Sequence, residues 1–164
     1  MSDDKIPKRN RIGIALALLC LPYSIALAQL PSVTGAENVL AGNCTVVLST
    51  KSLPEEIKKA FASATKEPTF SLTDPGEPFQ ATDVYSADHP PLRRLIFAGK
   101  CDGRWFVYYE HGGRALNDQF IQFSNDNPPT SHSGFWVSDK ANTLNELRSD
   151  FASGKFKMSE NRYW

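Results

Sequence analysis

Apolar residues along the chain fall into runs of two different periods. Cys44–Leu48 (Cys-Thr-Val-Val-Leu) is β-branched and apolar and predicts a strand. From Ser52 the pattern changes. Leu53, Ile57, Phe61 and Ala64 recur at intervals of four, four and three, which places them on one face of a helix. Ser52 with Glu55 three residues later makes a capping box, and Pro54 suits the first turn. Glu55, Glu56, Lys58 and Lys59 fall off the apolar face and mark the solvated side. Lys66–Pro78 is rich in turn residues, Phe79–Tyr85 predicts a short strand, and Asp88-His89-Pro90-Pro91 breaks the chain again.

The centre carries the strongest signal. Arg94–Ala98 predicts a strand, Gly99–Gly103 a turn whose tight bend is Asp102-Gly103, and Arg104–Glu110 a second strand. His111-Gly112-Gly113 turns the chain, and Gln119–Phe123 predicts a third strand. In Arg104–Glu110, Trp105, Val107 and Tyr109 point one way, and Phe106 and Tyr108 the other. Both faces are apolar or aromatic, so this strand is expected at the centre of a sheet covered on both sides. Phe135–Val137 continues the set. Thr143 and Glu146 form a second capping box, Leu144, Leu147 and Phe151 an apolar stripe, and Gly154 a stop. Phe156 and Met158 alternate with Lys155 and Lys157 in a last short strand. Hairpin strands with two added helices define an α+β fold: an antiparallel sheet, a central meander, two flanking helices.

The first residues carry a different pattern. Lys5, Lys8, Arg9 and Arg11 precede an apolar run, Ile12–Leu21, which passes through Pro22 to Ala26-Leu27-Ala28. A basic segment, a short apolar core and small residues at the last and third-last positions make a secretory signal, with cleavage expected after Ala28. A membrane anchor fits less well, because a spanning helix needs about 20 apolar residues. Organisation is therefore read as 1–28 a cleaved signal peptide, 29–42 a flexible N-terminal leader, and 43–164 a single α+β domain. Cys20 leaves with the signal. Cys44 and Cys101 remain, and two cysteines in an oxidising compartment predict one disulfide closing a loop of 57 residues. Of 18 basic and 18 acidic side chains, the signal takes four and two, leaving the domain near neutral. That balance gives no reason to expect nucleic acid or an anionic membrane as partner.

Glu110-His111-Gly112-Gly113-Arg114 is the most reactive-looking stretch: an acid, a base and a cation at a strand end. The competing reading is a hairpin with charged residues at a wet tip, and neighbours in a strand point to opposite faces. Ser131-His132-Ser133-Gly134 pairs a hydroxyl with an imidazole but lacks a nucleophile elbow. His89, His111 and His132 have no metal-ligand spacing, so neither metal nor cofactor is expected. Trp105, Tyr108, Tyr109, Phe135 and Trp136 read as core, with the loops 73–78, 88–91 and 125–133 as the better binding surfaces.

With no convergent catalytic set, the expected function is that of a non-enzymatic binding protein in the periplasm or outside the cell. Its partner is expected to be another protein, in the manner of an inhibitor or immunity protein. A small envelope hydrolase using His111 or His132, and an envelope assembly or structural factor, are the alternatives. Glu110, His111, Arg114 and His132 are the candidate surface residues.

Overall fold

The computed structural model describes residues 39–84 and 90–159. The expected signal peptide, leader residues 29–38, Tyr85 and His89 lie outside the described residues. The element order is β1 (Cys44–Val47), α1 (Glu55–Thr65), β2 (Arg93–Cys101), β3 (Arg104–His111), β4 (Asn117–Phe123), β5 (His132–Val137), α2 (Leu144–Ala152) and β6 (Phe156–Met158). The six strands form one sheet in chain order, and every pairing is antiparallel. The α+β fold with a central meander and two helices is therefore the fold of this chain. Among the described residues, no helix is long and apolar enough to cross a membrane.

The two faces of β3 set the layering. Val107 and Tyr109 pack with Leu53, Ile57, Phe61 and Ala64 of α1 and its entry turn, together with Leu95 and Ile121. Phe106 and Tyr108 pack with Leu147 and Phe151 of α2, together with Phe97, Phe120 and Phe135. Each helix thus buries its apolar stripe against its own face of the sheet. Ring contacts tie the layers: Phe61 meets Tyr109 edge-on at 5.2 Å, and Phe151 meets Phe120 edge-on at 5.0 Å.

Cys44 stands opposite Cys101 in the β1–β2 register, and the two are joined by a disulfide. A bridge over 57 residues contributes about 4 kcal/mol in the chain-entropy account. The hairpin after it turns on Asp102 and Gly103, both at positive φ, as an Asp-Gly bend requires. Strand β2 runs on through Gly99 to Cys101, residues read from the sequence as turn. Pairing with both β1 and β3 holds them extended.

Other sequence expectations also shift. Ser52 does not cap α1. Leu53 precedes Pro54, which bars it from helical geometry, so it is extended and the helix begins only at Glu55. Ser49 instead caps a short 3-10 turn over Thr50–Ser52. The predicted strand at Phe79–Tyr85 is absent over residues 79–84, where Gln80 makes a single backbone bond, N–H to Pro91 O at 2.9 Å. The edge of β2 not covered by β1 is taken by Thr73, which bridges Arg94 in parallel, bonding to Arg93 O and Leu95 N–H. At the start of the domain, Val39 and Leu40, placed in the leader by the sequence, are buried in the α2-side core. Gln122 Nε2 donates to Val39 O at 2.6 Å, and Arg148 donates to Leu40 O and Gly42 O at 2.9 and 2.8 Å. The second helix matches its sequence signals. Thr143 accepts from Glu146 N–H, and Gly154 ends the helix at φ 72°.

Gly112 follows β3 and bonds to Leu92 O at 2.8 Å. A Cβ there would sit 1.8 Å from the backbone oxygen of Gln80, whose own N–H is bonded to Pro91 O. Gly112→Ala is expected to destabilise the protein by about 1–3 kcal/mol, the range for overpacking. Urea denaturation measures it, and an unchanged midpoint would mean that residues 80–81 yield freely.

Candidate functional site

The stretch Glu110–Arg114 divides between the two faces of the sheet. Glu110 lies on the α2 face and is buried. Its carboxylate is clamped by two cations: Arg94 reaches Oε2 at 2.7 Å and Lys140 reaches Oε1 at 2.6 Å. Burial pushes its pKa up, but the hydrogen bonds and charges of Arg94 and Lys140 outweigh this and hold it below the ordinary carboxylate range. Both oxygens are committed, so Glu110 serves the fold as the hub of an ion triad. Nearby, Asp118 accepts from Tyr108 O–H at 3.3 Å, and Tyr108 in turn accepts from Ala141 N–H at 3.0 Å.

His111 lies on the α1 face, within a chain of polar groups. Arg93 is paired with Glu67 at 2.9 Å and hydrogen-bonds to Tyr109. Tyr109 O–H donates to Gln119 Oε1 at 2.7 Å. Gln119 Nε2 then serves two acceptors, Asn117 Oδ1 at 2.8 Å and His111 Nδ1 at 3.3 Å. Asn117 Nδ2 donates onward to Ala115 O at 2.9 Å. The direction of this chain is determined by its ends. A backbone carbonyl only accepts, so Asn117 presents its nitrogen to Ala115 and its oxygen to Gln119. Gln119 must then turn its nitrogen toward His111, and His111 Nδ1 must accept. The ring proton therefore sits on Nε2. Burial, with the nearby Arg93 charge, lowers the His111 pKa to about 4, so the imidazole is neutral at physiological pH.

A cleft of ≈ 520 Å³ opens beside this chain, lined by Leu92, His111, Gly112, Arg114, Asn117 and Trp136 among others. Its volume suits a small ligand or an inserted side chain. Trp136 belongs to β5 and pairs with Gln119 across β4. It is 44% exposed, whereas its neighbours Phe135 and Val137 turn inward to α2. Arg114 and Leu116 stand exposed on the loop between β3 and β4.

The structure thus brings together two of the four candidate surface residues, His111 and Arg114. Glu110 is on the other face of the sheet. His132 pairs with Phe123 at the opposite end of β4 from the Asn117–His111 pair, about 20 Å away at ~3.4 Å per residue. It lines a separate cleft of ≈ 270 Å³ with Arg104, Ser124, Asn125 and Ser131. In that loop the carboxylate of Asp126 is bonded to Thr130 Oγ1. In the loop at 73–78, Asp74 is tied to the fold, accepting from Thr50 N–H and Ser49 Oγ, while residues 75–78 are exposed. Trp136, expected among the core aromatics, is instead exposed, because strand alternation turns it away from the Phe135 side. Gln119 and Asn117, which orient His111, carried no motif in the sequence. Strand alternation alone places Asn117, Gln119 and His111 on a common face, given the register.

No family model matches the chain, and neither a curated protein nor a solved structure matches it.

The depressed His111 pKa fixes a sign for pH dependence. Between about pH 4 and 6.5 the unfolded chain binds a proton here that the folded protein does not, so stability falls as the pH drops through that window. His111→Asn is expected to flatten the slope of unfolding free energy against pH between 4 and 6.5. Urea titrations at several pH values measure it. A ring titrating near its ordinary value by NMR would contradict the assigned environment.

Proposed function

We propose that this protein is a small non-enzymatic binding protein that works after export, in the periplasm or outside the cell. Its partner is another protein, held in the manner of an inhibitor or immunity protein. The observation that carries this reading is Trp136, an exposed tryptophan beside a cleft on a cross-linked sheet. A tryptophan on the surface costs solubility and is the residue type most enriched at binding hot spots. Arg114 lines the same cleft, and Leu116, 56% exposed, follows on the same loop. Rigid strands beneath it suit binding, because little order is lost when a partner docks.

The titratable groups support binding over catalysis. Glu110 is saturated by cations and faces away from His111. His111 has one nitrogen engaged by Gln119 and a pKa far below neutrality, which makes it a poor general base at pH 7. His132 sits at the other end of the sheet.

Affinity capture with the tagged full chain, expressed with its own N-terminal segment, tests the proposal. One dominant, stoichiometric partner is expected from envelope or culture fractions. Trp136→Ala is expected to weaken its capture by about 2 kcal/mol, some thirtyfold, as a central hot spot does. No dominant partner, or undiminished capture by the variant, would overturn the reading.

A further inference from the structure

The cleft beside Trp136 has a lopsided hydrogen-bonding inventory. Gln119 and Asn117 line it, but the Gln119 nitrogen is spent on Asn117 and His111, and each amide oxygen already accepts one hydrogen bond, from Tyr109 and from Gln119. His111 accepts through Nδ1, so the proton on Nε2 is its remaining polar function. The indole N–H of Trp136 donates and accepts nothing. Arg114 is exposed, donates only, and makes no ion pair or side-chain hydrogen bond among the described residues. Among the described lining residues there is no carboxylate. The remainder is apolar: Leu92, Ala115 and the face of the indole, with open space above Gly113.

A site that offers donors and one fixed positive charge, set in apolar walls, complements an anion joined to an apolar body. A sugar ring matches it less well, because its hydroxyls need acceptors as well as donors. A cationic ligand would face Arg114 without a counter-charge. Resting on the partner-binding reading above, we propose that the group entering this cleft is the C-terminal carboxylate of the partner chain, carried on a large apolar terminal residue. In such a residue the carboxylate and the apolar side chain branch from one Cα. They can therefore reach the guanidinium of Arg114 and the indole of Trp136 within the same ≈ 520 Å³. An internal Asp or Glu has only one or two methylenes beside its charge and leaves the apolar wall uncovered. Arg114 is the specificity residue: its guanidinium can grip both oxygens of the carboxylate.

The probe is N-acetyl-phenylalanine, with N-acetyl-phenylalanine amide as the uncharged control. Each is titrated into the ¹⁵N-labelled full chain up to about 10 mM, a range that reaches millimolar dissociation constants. The acid is expected to shift the Trp136 indole N–H and the Gly112 and Gly113 amides. It is expected to bind at least about tenfold more tightly than the amide, as a charge-assisted pair implies. Arg114→Ala, an exposed change whose spectrum reports that the fold is kept, should remove the preference for the acid and leave the amide unchanged. Equal binding of acid and amide, absent shifts at the cleft, or a preference that survives in Arg114→Ala would each overturn the proposal. Partner capture that depends on Trp136 alongside any of these results sinks the carboxylate assignment alone. Binding of the acid without any captured partner keeps the cleft assignment and overturns the protein-partner reading.

Discussion

The structure rests on a strand with no polar side. From Phe106 to Tyr109 every residue of β3 is buried, and successive side chains point to opposite faces. An antiparallel sheet can leave one face to water, but a sheet built around this strand cannot. It needs cover on both sides, and the chain supplies one helix for each. This demand accounts for the placement of α1 after the first strand and α2 before the last. It also accounts for the two separate aromatic cores.

Helical cover does not extend over the whole sheet, and the polar chemistry collects where it stops. At the end of β3 the apolar alternation gives way to Glu110 and His111, one on each face. On the α2 side the carboxylate is neutralised by Arg94 and Lys140. A buried charge left without its partners costs several kcal/mol, so the triad is a condition for ending the strand this way. On the α1 side the run Glu67–Arg93–Tyr109–Gln119 links one polar group to the next until it reaches His111 at the edge of the cleft. Burial pushes the Tyr109 phenol above its ordinary range, which keeps it a dependable donor to Gln119. The orientation of one half-buried imidazole is thus inherited from groups beneath it.

Much of the fold was legible because it depends on local periodicity. The stripe Leu53–Ile57–Phe61–Ala64, the double-faced pattern of β3, the Asp102-Gly103 bend and the Thr143 capping box each follow from a few adjacent residues. The errors came from tertiary competition. Ser52 had the right partner for a capping box, but Pro54 holds Leu53 extended and shifts the start of the helix. Gly99–Cys101 reads as turn by composition, yet two flanking strands hold it straight. Val39 and Leu40 sit in a segment poor in large apolar residues. Their burial depends on carbonyl contacts from Gln122 and Arg148, far away in sequence. The site was legible only in part for the same reason. His111 and Arg114 stand out by type. Gln119 and Asn117 are ordinary amides until the register places them beside a histidine.

Trp136 shows how an aromatic can be left exposed on a strand whose neighbours are core. By type it belongs with Phe135 in a core, and one position along a strand decides its fate. Phe135 faces α2 and is buried between Phe120 and Phe151. Trp136 faces the α1 side, but α1 packs with residues of β2, β3 and β4, and no residue of β5 joins that cluster. Extending the helical layer to this region would have buried the indole and filled the cleft. Leaving it open exposes apolar surface that contributes nothing to folding, on a scaffold already stabilised by a disulfide and two cores. On the binding reading proposed above, contact with a partner offsets that exposure. The lining next to it is rich in donors and holds one cation, Arg114, and on that reading this narrows the chemistry of what the partner presents.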